Sequence, residues 1–163
     1  CPSMCKCAPE EIIHCNRAGL RALPGEIAAS TVSLNLSNNY LRILTANTFR
    51  NLTFLHSLWL DGNNLTFLSP GTFHALSNLD LSHCNIFEIH PLLFSHLPSL
   101  ERLDLASNNM RYVPQAFRNL SSLTTLNLYL NNNQISSISD SAFSYLNKLH
   151  FLHLSKNNLS SLP

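Results

Sequence analysis

The sequence predicts an α/β solenoid curved into a horseshoe, with a parallel β-sheet on the concave side, a mostly irregular convex side and a disulfide-bonded N-terminal cap. Three observations carry this. Between Thr31 and Leu162 one pattern, L-x-x-L-x-L-x-x-N-x-L, is repeated six times. Its copies follow one another at intervals of roughly 20–29 residues, room for one strand and a return segment per turn. Four of the five cysteines lie within the first fifteen residues.

Residues 1–30 form the cap in this reading, and residues 31–163 form five full repeats and a partial sixth. A stack of repeats exposes an apolar edge at its start, so it needs a lid with a polar outer side. Ile12 and Ile13 are placed in a short strand that begins the sheet. Cys1, Cys5, Cys7 and Cys15 read as a disulfide framework of an oxidising compartment, holding a segment too small to stabilise itself. A zinc site is the rival, but C-x3-C-x-C-x7-C is a poor match to paired C-x2-4-C ligands. The sequence alone leaves three disulfide connectivities open.

In the repeats, Leu55–Leu65 (LHSLWLDGNNL), Leu100–Met110 (LERLDLASNNM) and Leu149–Leu159 (LHFLHLSKNNL) fit the pattern directly. Copies at Thr31–Leu41 and Leu76–Ile86 fit with substitutions, Cys84 taking the asparagine slot in the latter. Strand side chains alternate, so if Leu58 and Leu60 point inward, Trp59 points to the open face. The slot residues Asn39, Asn63, Asn108 and Asn157 lie where the chain turns inward and leaves backbone groups without sheet partners, which an amide can satisfy in both senses. Cys84 is expected to be a small, buried substitute in that slot. On the far side Phe49, Phe73, Phe94, Phe117 and Phe143 recur once per repeat and should form a convex-side spine of core. Pro70, Pro91 and Pro114 favour extended or turn-like convex segments over regular helix.

The segment CPSMCKC, followed by Cys15, Gly19-Leu20 and Leu23-Pro24-Gly25 and then by the repeats, resembles the cysteine-rich cap and body of extracellular leucine-rich repeat proteins over nearly the whole chain. The resemblance implies pairing of Cys1 with Cys7 and of Cys5 with Cys15. It also implies a C-terminal cap, which is absent after Leu162-Pro163. The chain is therefore expected to be a fragment, or to have its open C-terminal end continued by further repeats or covered by a partner.

Departures from the period are local. Repeat starts at Thr31, Leu55, Leu76, Leu100, Leu123 and Leu149 give lengths of 24, 21, 24, 23 and 26 residues. The short repeat lacks a triplet between Phe73 and Leu79, so Leu76 must serve two roles. In the long one, LNLYLNNNQI reads as a two-residue insertion that keeps strand alternation and emerges as a bulge or longer loop near Asn131-Asn132-Asn133. Drift and a functional loop both account for it.

A net charge of +1 gives no bias toward nucleic acid or anionic lipid. No apolar run suggests a membrane span, and no leader precedes Cys1, so any secretion signal is expected to have been removed. There is no G-x-S-x-G, phosphate-binding loop, H-E-x-x-H or redox cysteine pair, and the chain reads as a non-enzyme without cofactor or metal. The eight histidines default to surface positions. The carboxylates match no calcium loop.

The concave slots are free of packing duty and form the candidate site: Asn35, Trp59, Asp80, Asp104, Tyr129 (or Asn127) and His153 in one row, with Asp61, His83 and Arg102 beside it. A large aromatic forced outward and ringed by polar groups is the material of protein-binding hot spots. Asp80 and Asp104 come out adjacent, giving a small acidic patch, partly offset by Arg102, that suits a Lys or Arg of a partner. His83 and His153 would make binding pH-sensitive. Five N-x-S/T sequons, at Asn35, Asn51, Asn64, Asn119 and Asn158, are glycosylation candidates, with Asn51 and Asn119 favoured by their matching FRNL segments. The expected function is a protein-binding module of a secreted or cell-surface protein, its protein ligand unidentified. The alternatives are a structural subunit of an extracellular assembly and an innate or antigen-binding receptor ectodomain.

Overall fold

The computed structural model describes residues 1–121, 123, 125–146 and 149–160, apart from the side chain of Phe143. The chain end at Leu162-Pro163 and the Phe143 ring expected in the spine lie outside the described residues.

Every repeat contributes one three-residue strand because only its central leucine triplet alternates inward and outward. The strands are β1 (Lys6–Ala8), β2 (Ile12–His14), β3 (Ser33–Asn35), β5 (Ser57–Trp59), β7 (Asn78–Asp80), β8 (Arg102–Asp104), β9 (Asn127–Tyr129) and β10 (Phe151–His153). They form one eight-stranded sheet in the order β1-β2-β3-β5-β7-β8-β9-β10. β1 pairs antiparallel with β2, and all later neighbours are parallel. Ile12 and Ile13 lie in a short strand of this sheet as expected, but they do not begin it: β1, paired antiparallel with them through Cys7 and Ala8, is the first strand. Its bonds join Cys1 to Cys7 and Cys5 to Cys15, with Cys15 fully buried.

The leucine lattice supplies the core. Leu34, Leu58, Leu79, Leu103 and Leu128, the centres of successive strands, are all fully buried. The second series packs behind them: Phe73, Phe94 and Phe117 are essentially buried, and rings stack from Phe49 to Phe73 and from Phe94 to Phe117. Each such ring stabilises the fold by about 1.5–3 kcal/mol. The convex side is mostly irregular. Among the described residues it carries a two-stranded parallel sheet of β4 (Ile43–Leu44) and β6 (Phe67–Leu68), a 3-10 helix (Gln115–Leu120) and an α-helix, α1 (Asp140–Leu146).

The asparagine slots do what the turn demands. Asn108 Nδ2 donates to the carbonyls of Leu81, Leu105 and Ala106, while its Oδ1 accepts from the N–H groups of Cys84 and Ile86 in the repeat before it. Asn39, Asn63 and Asn157 bond in the same sense. Cys84 donates its thiol to the carbonyls of Leu60 and Ser82. Lacking an amide oxygen, it leaves the Leu65 N–H to its own backbone carbonyl at 3.2 Å. The residue preceding each slot is left-handed: Asn38, Gly62, His83, Ser107, Asn132 and Lys156 all have positive φ. At Gly62 an added Cβ would run into the Asn38 side chain.

The expected insertion in the fifth repeat is corrected. Asn133 occupies the asparagine slot, donating to the carbonyls of Leu105, Leu130 and Asn131 and accepting from Met110, so no bulge or loop emerges there. Strand leucines paired at 34, 58, 79, 103, 128 and 152 give spacings of 24, 21, 24, 25 and 24 residues. The surplus is one residue, and it falls before β9. Leu126 is fully buried two residues ahead of Leu128, whereas Leu55, Leu76 and Leu100 stand three ahead of their strand leucines. Leu123, expected to open the repeat, only packs against the core edge. In the short repeat, Leu76 holds the opening position at 2% exposure. A convex cleft of about 620 Å³ lies beside that repeat, between Phe49 and Phe73.

Candidate functional site

The parallel register sets the concave face. Asn35 is paired with Trp59, Trp59 with Asp80, Asp80 with Asp104, Asp104 with Tyr129, and Tyr129 with His153. Neighbouring strands are about 4.8 Å apart, so these side chains form one continuous row. The choice left open in the fifth repeat falls to Tyr129. Asn127 belongs to the parallel row of Ser33, Ser57, Asn78, Arg102 and Phe151.

All six residues of the row are half-buried, Trp59 included, so the tryptophan is not sealed into the core. Sequence alternation alone accounts for its direction, with Leu58 and Leu60 fully buried on either side.

The carboxylates differ in their surroundings. Asp104 Oδ2 accepts from Arg102 Nη2 at 2.9 Å, the one ion pair among the described residues. Its Oδ1 takes the N–H of Ala106. Asp80 has no ion-pair partner among the described residues. Its Oδ1 accepts from both the N–H and the hydroxyl of Ser82, at 2.9 and 2.7 Å. Burial pushes the Asp80 carboxyl above its ordinary range, the Ser82 bonds pull it back, and Asp104 and Asp61 add to the rise. Asp61, two residues beyond Trp59, accepts from the Ser37 hydroxyl.

A second cluster follows along the row. The Arg102 guanidinium lies over the Tyr129 ring at 5.0 Å, within cation–π reach. Tyr129, Phe151 and His153 make mutual ring contacts at 5.6–6.1 Å, and Phe151 is 45% exposed. His153 shares a 2.6 Å hydrogen bond with the Ser155 hydroxyl. His83 is exposed and left-handed just past β7, so it stands at the rim of the sheet and not in the row.

Sequence reasoning missed two features. One is the i to i+2 bonding of Asn35, Asp80 and Asp104 to the N–H of Ser37, Ser82 and Ala106; the acidic side chains in the row also brace the strand ends. The spacing D-x-S or D-x-A carried that signal. The other is an amide ladder along one flank, where Asn85 donates to Asn64, Asn109 to Asn85 and Gln134 to Asn109. The residue after each asparagine slot carried that one.

A capped solenoid with an open parallel face is the architecture of a repeat-built recognition module. The chain belongs to the leucine-rich repeat family, in the branch with a cysteine-rich N-terminal cap: the family described as "Leucine rich repeat" matches residues 29–86 and 74–129, and a further match covers 122–146. Human leucine-rich repeats and immunoglobulin-like domains protein 3 is 34% identical over the whole chain, which covers 14% of that protein. Zebrafish (Danio rerio) keratocan is 32% identical, with 100% of this chain and 48% of keratocan covered. Chicken (Gallus gallus) lumican is 34% identical, with 99% of this chain and 50% of lumican covered. The chain thus spans half or less of these relatives.

Among solved structures, one chain of an octameric complex of Latrophilin 3, Unc5D and the leucine-rich repeats of FLRT2 superposes with a TM-score of 0.77 at 26% identity, covering 100% of this chain and 57% of that one. Human 5T4 (trophoblast glycoprotein) gives 0.72 at 27% identity, covering 98% and 73%. No helix among the described residues is long and apolar enough to cross a membrane.

Proposed function

We propose that this chain is the protein-binding module of a secreted or cell-surface protein, and that it meets a protein partner mainly through its concave face. Residues 1–30 close the N-terminal end of the stack in this reading. The observation that carries it is Trp59, held outward between two buried leucines and set beside Asp80, a carboxylate with no ion-pair partner among the described residues. A rigid aromatic next to an uncompensated acid suits a Lys or Arg of the partner, its alkyl stem on the indole and its charge at Asp80 and Asp61. Arg102, Asp104, Tyr129 and His153 extend the surface, with Asn35 and His83 at its borders. Two disulfides in the cap favour an oxidising, extracellular setting. The relative whose leucine-rich repeats occur in an octameric complex supports partner binding as the general role.

The test is a binding screen of the chain against a library of extracellular domains, followed by substitution on each face. Loss of binding by Trp59→Ala and Asp80→Asn, with Phe87→Ser on the flank neutral, is the expected result. Loss confined to the flank substitution would overturn the concave assignment.

A further inference from the structure

The five sequons are not equivalent in the fold. Asn119 is exposed, but its Nδ2 donates to the carbonyl of Pro91 at 3.0 Å and to that of Ala116 at 3.4 Å. Asn35 is half-buried in the concave row, its side chain turned to the Ser37 N–H. Asn51 and Asn158 are exposed. Asn64 is exposed too, but its surroundings differ in kind. It lines a trough of about 820 Å³ together with Phe67, Phe87 and Tyr112, three rings that are 53%, 62% and 55% exposed. Its Oδ1 accepts from Asn85 in the amide ladder, and its Nδ2 has no hydrogen-bond partner among the described residues. Thr66, which completes the sequon, is exposed in the same trough.

Clustered exposed rings are not the ordinary scatter of surface apolar residues and call for a cover. Sugars suit this one. The C–H face of a pyranose packs on an aromatic ring, and its hydroxyls find Asn85, Glu88 and Gln115 along the same walls. Among the described residues, Glu88 is the only formally charged side chain lining the trough, so the walls make no strong ionic demand on the occupant.

We propose that Asn64 carries an N-linked glycan whose first sugars lie in this trough over Phe67, Phe87 and Tyr112. The donor is a polyprenyl-diphosphate-linked oligosaccharide. The bond from the sugar C1 to Asn64 Nδ2 forms, the C1–O bond to the diphosphate breaks, the diphosphate leaves with the bonding pair, and one amide proton is released to solvent. The glycan lies on the flank, away from the concave row, so this assignment stands independently of the partner-binding reading.

The chain secreted from eukaryotic cells is mapped by glycopeptide mass spectrometry, alongside Asn64→Gln, Thr66→Ala and Asn51→Gln variants. Asn64 is expected to be occupied, and Asn64→Gln and Thr66→Ala each lose that one glycan. Both variants, and wild-type protein trimmed enzymatically after folding, should bind an apolar fluorescent dye more strongly than Asn51→Gln does. An unmodified Asn64 in protein glycosylated elsewhere overturns the proposal. So does an occupied Asn64 whose removal raises dye binding no more than removal at Asn51.

Discussion

Trp59 and Asp80 are paired residue to residue on adjacent parallel strands, and no ion-pair partner among the described residues intervenes at Asp80. The next pair along the row is different, because Asp104 is already bound to Arg102. An incoming positive charge therefore gains most at the Trp59 end of the concavity. Trp59→Ala should weaken partner binding by at least about 1 kcal/mol while leaving the thermal unfolding midpoint nearly unchanged. Calorimetric titration alongside thermal melts separates the two effects.

Asp80 carries a pH signature. Its carboxyl is raised in the folded state, mainly by burial, so the folded chain holds that proton more tightly than the unfolded chain does. The resulting penalty is complete above the folded value and fades as pH falls toward the ordinary carboxylate range. Asp80→Asn should therefore stabilise the protein at neutral pH by less than about 1 kcal/mol, the side chain being partly solvated, and the gain should vanish in acid. Asn35 shows that an amide can keep the bond to the N–H two residues on. Urea unfolding at neutral and acidic pH checks the sign.

Cys84 fills a slot built for an amide. Cys84→Asn gives the Leu65 N–H a side-chain acceptor and should add about 1 kcal/mol of stability, whereas Cys84→Ala should lose stability. Burial pushes the thiol up to about 12, so native protein should resist alkylation at mildly alkaline pH and react only on unfolding. Mass shifts after iodoacetamide treatment, with and without denaturant, read this out.

Gly62 and Ser107 occupy equivalent left-handed positions. Gly62→Ala adds both a steric clash with Asn38 and the cost of that conformation, and should destabilise by about 1–3 kcal/mol. Ser107→Gly should be neutral to stabilising, by up to about 1 kcal/mol. Paired denaturation curves decide.

The two cap disulfides should differ in weight. Cys15 is fully buried in the core while Cys1 is exposed, so replacing Cys5 and Cys15 by serine should cost about 2–5 kcal/mol. Replacing Cys1 and Cys7 should cost less. Melting of the two double variants orders them.

Much of this was readable from the leucine lattice. It placed Trp59, Asp80 and Asp104 outward because alternation is a local rule that tertiary context rarely reverses. It failed where the lattice is degenerate: Leu126, Leu128 and Leu130 alternate too, and Leu123 mimics an opening leucine, so two registers fit until Asn133 is seen bonding in its slot. The trough around Phe67, Phe87 and Tyr112 was invisible because no single position of the period marks it: Phe67 and Tyr112 each stand four residues past their asparagine slot, whereas Phe87 stands three past Cys84. The sequence placed Arg102 beside the acidic patch, but its bond to Asp104 and its position over the Tyr129 ring depend on the geometry of neighbouring strands.

Each slot amide serves the turn that precedes it as well as its own, as when Asn133 satisfies the Met110 N–H and the Leu105 carbonyl. Damage at one coil is therefore felt upstream, since the earlier coil loses partners supplied from outside itself. Such backward lending makes the array cooperative over neighbouring coils, and it gives deletions of whole coils a directional penalty that sequence similarity between coils would not suggest.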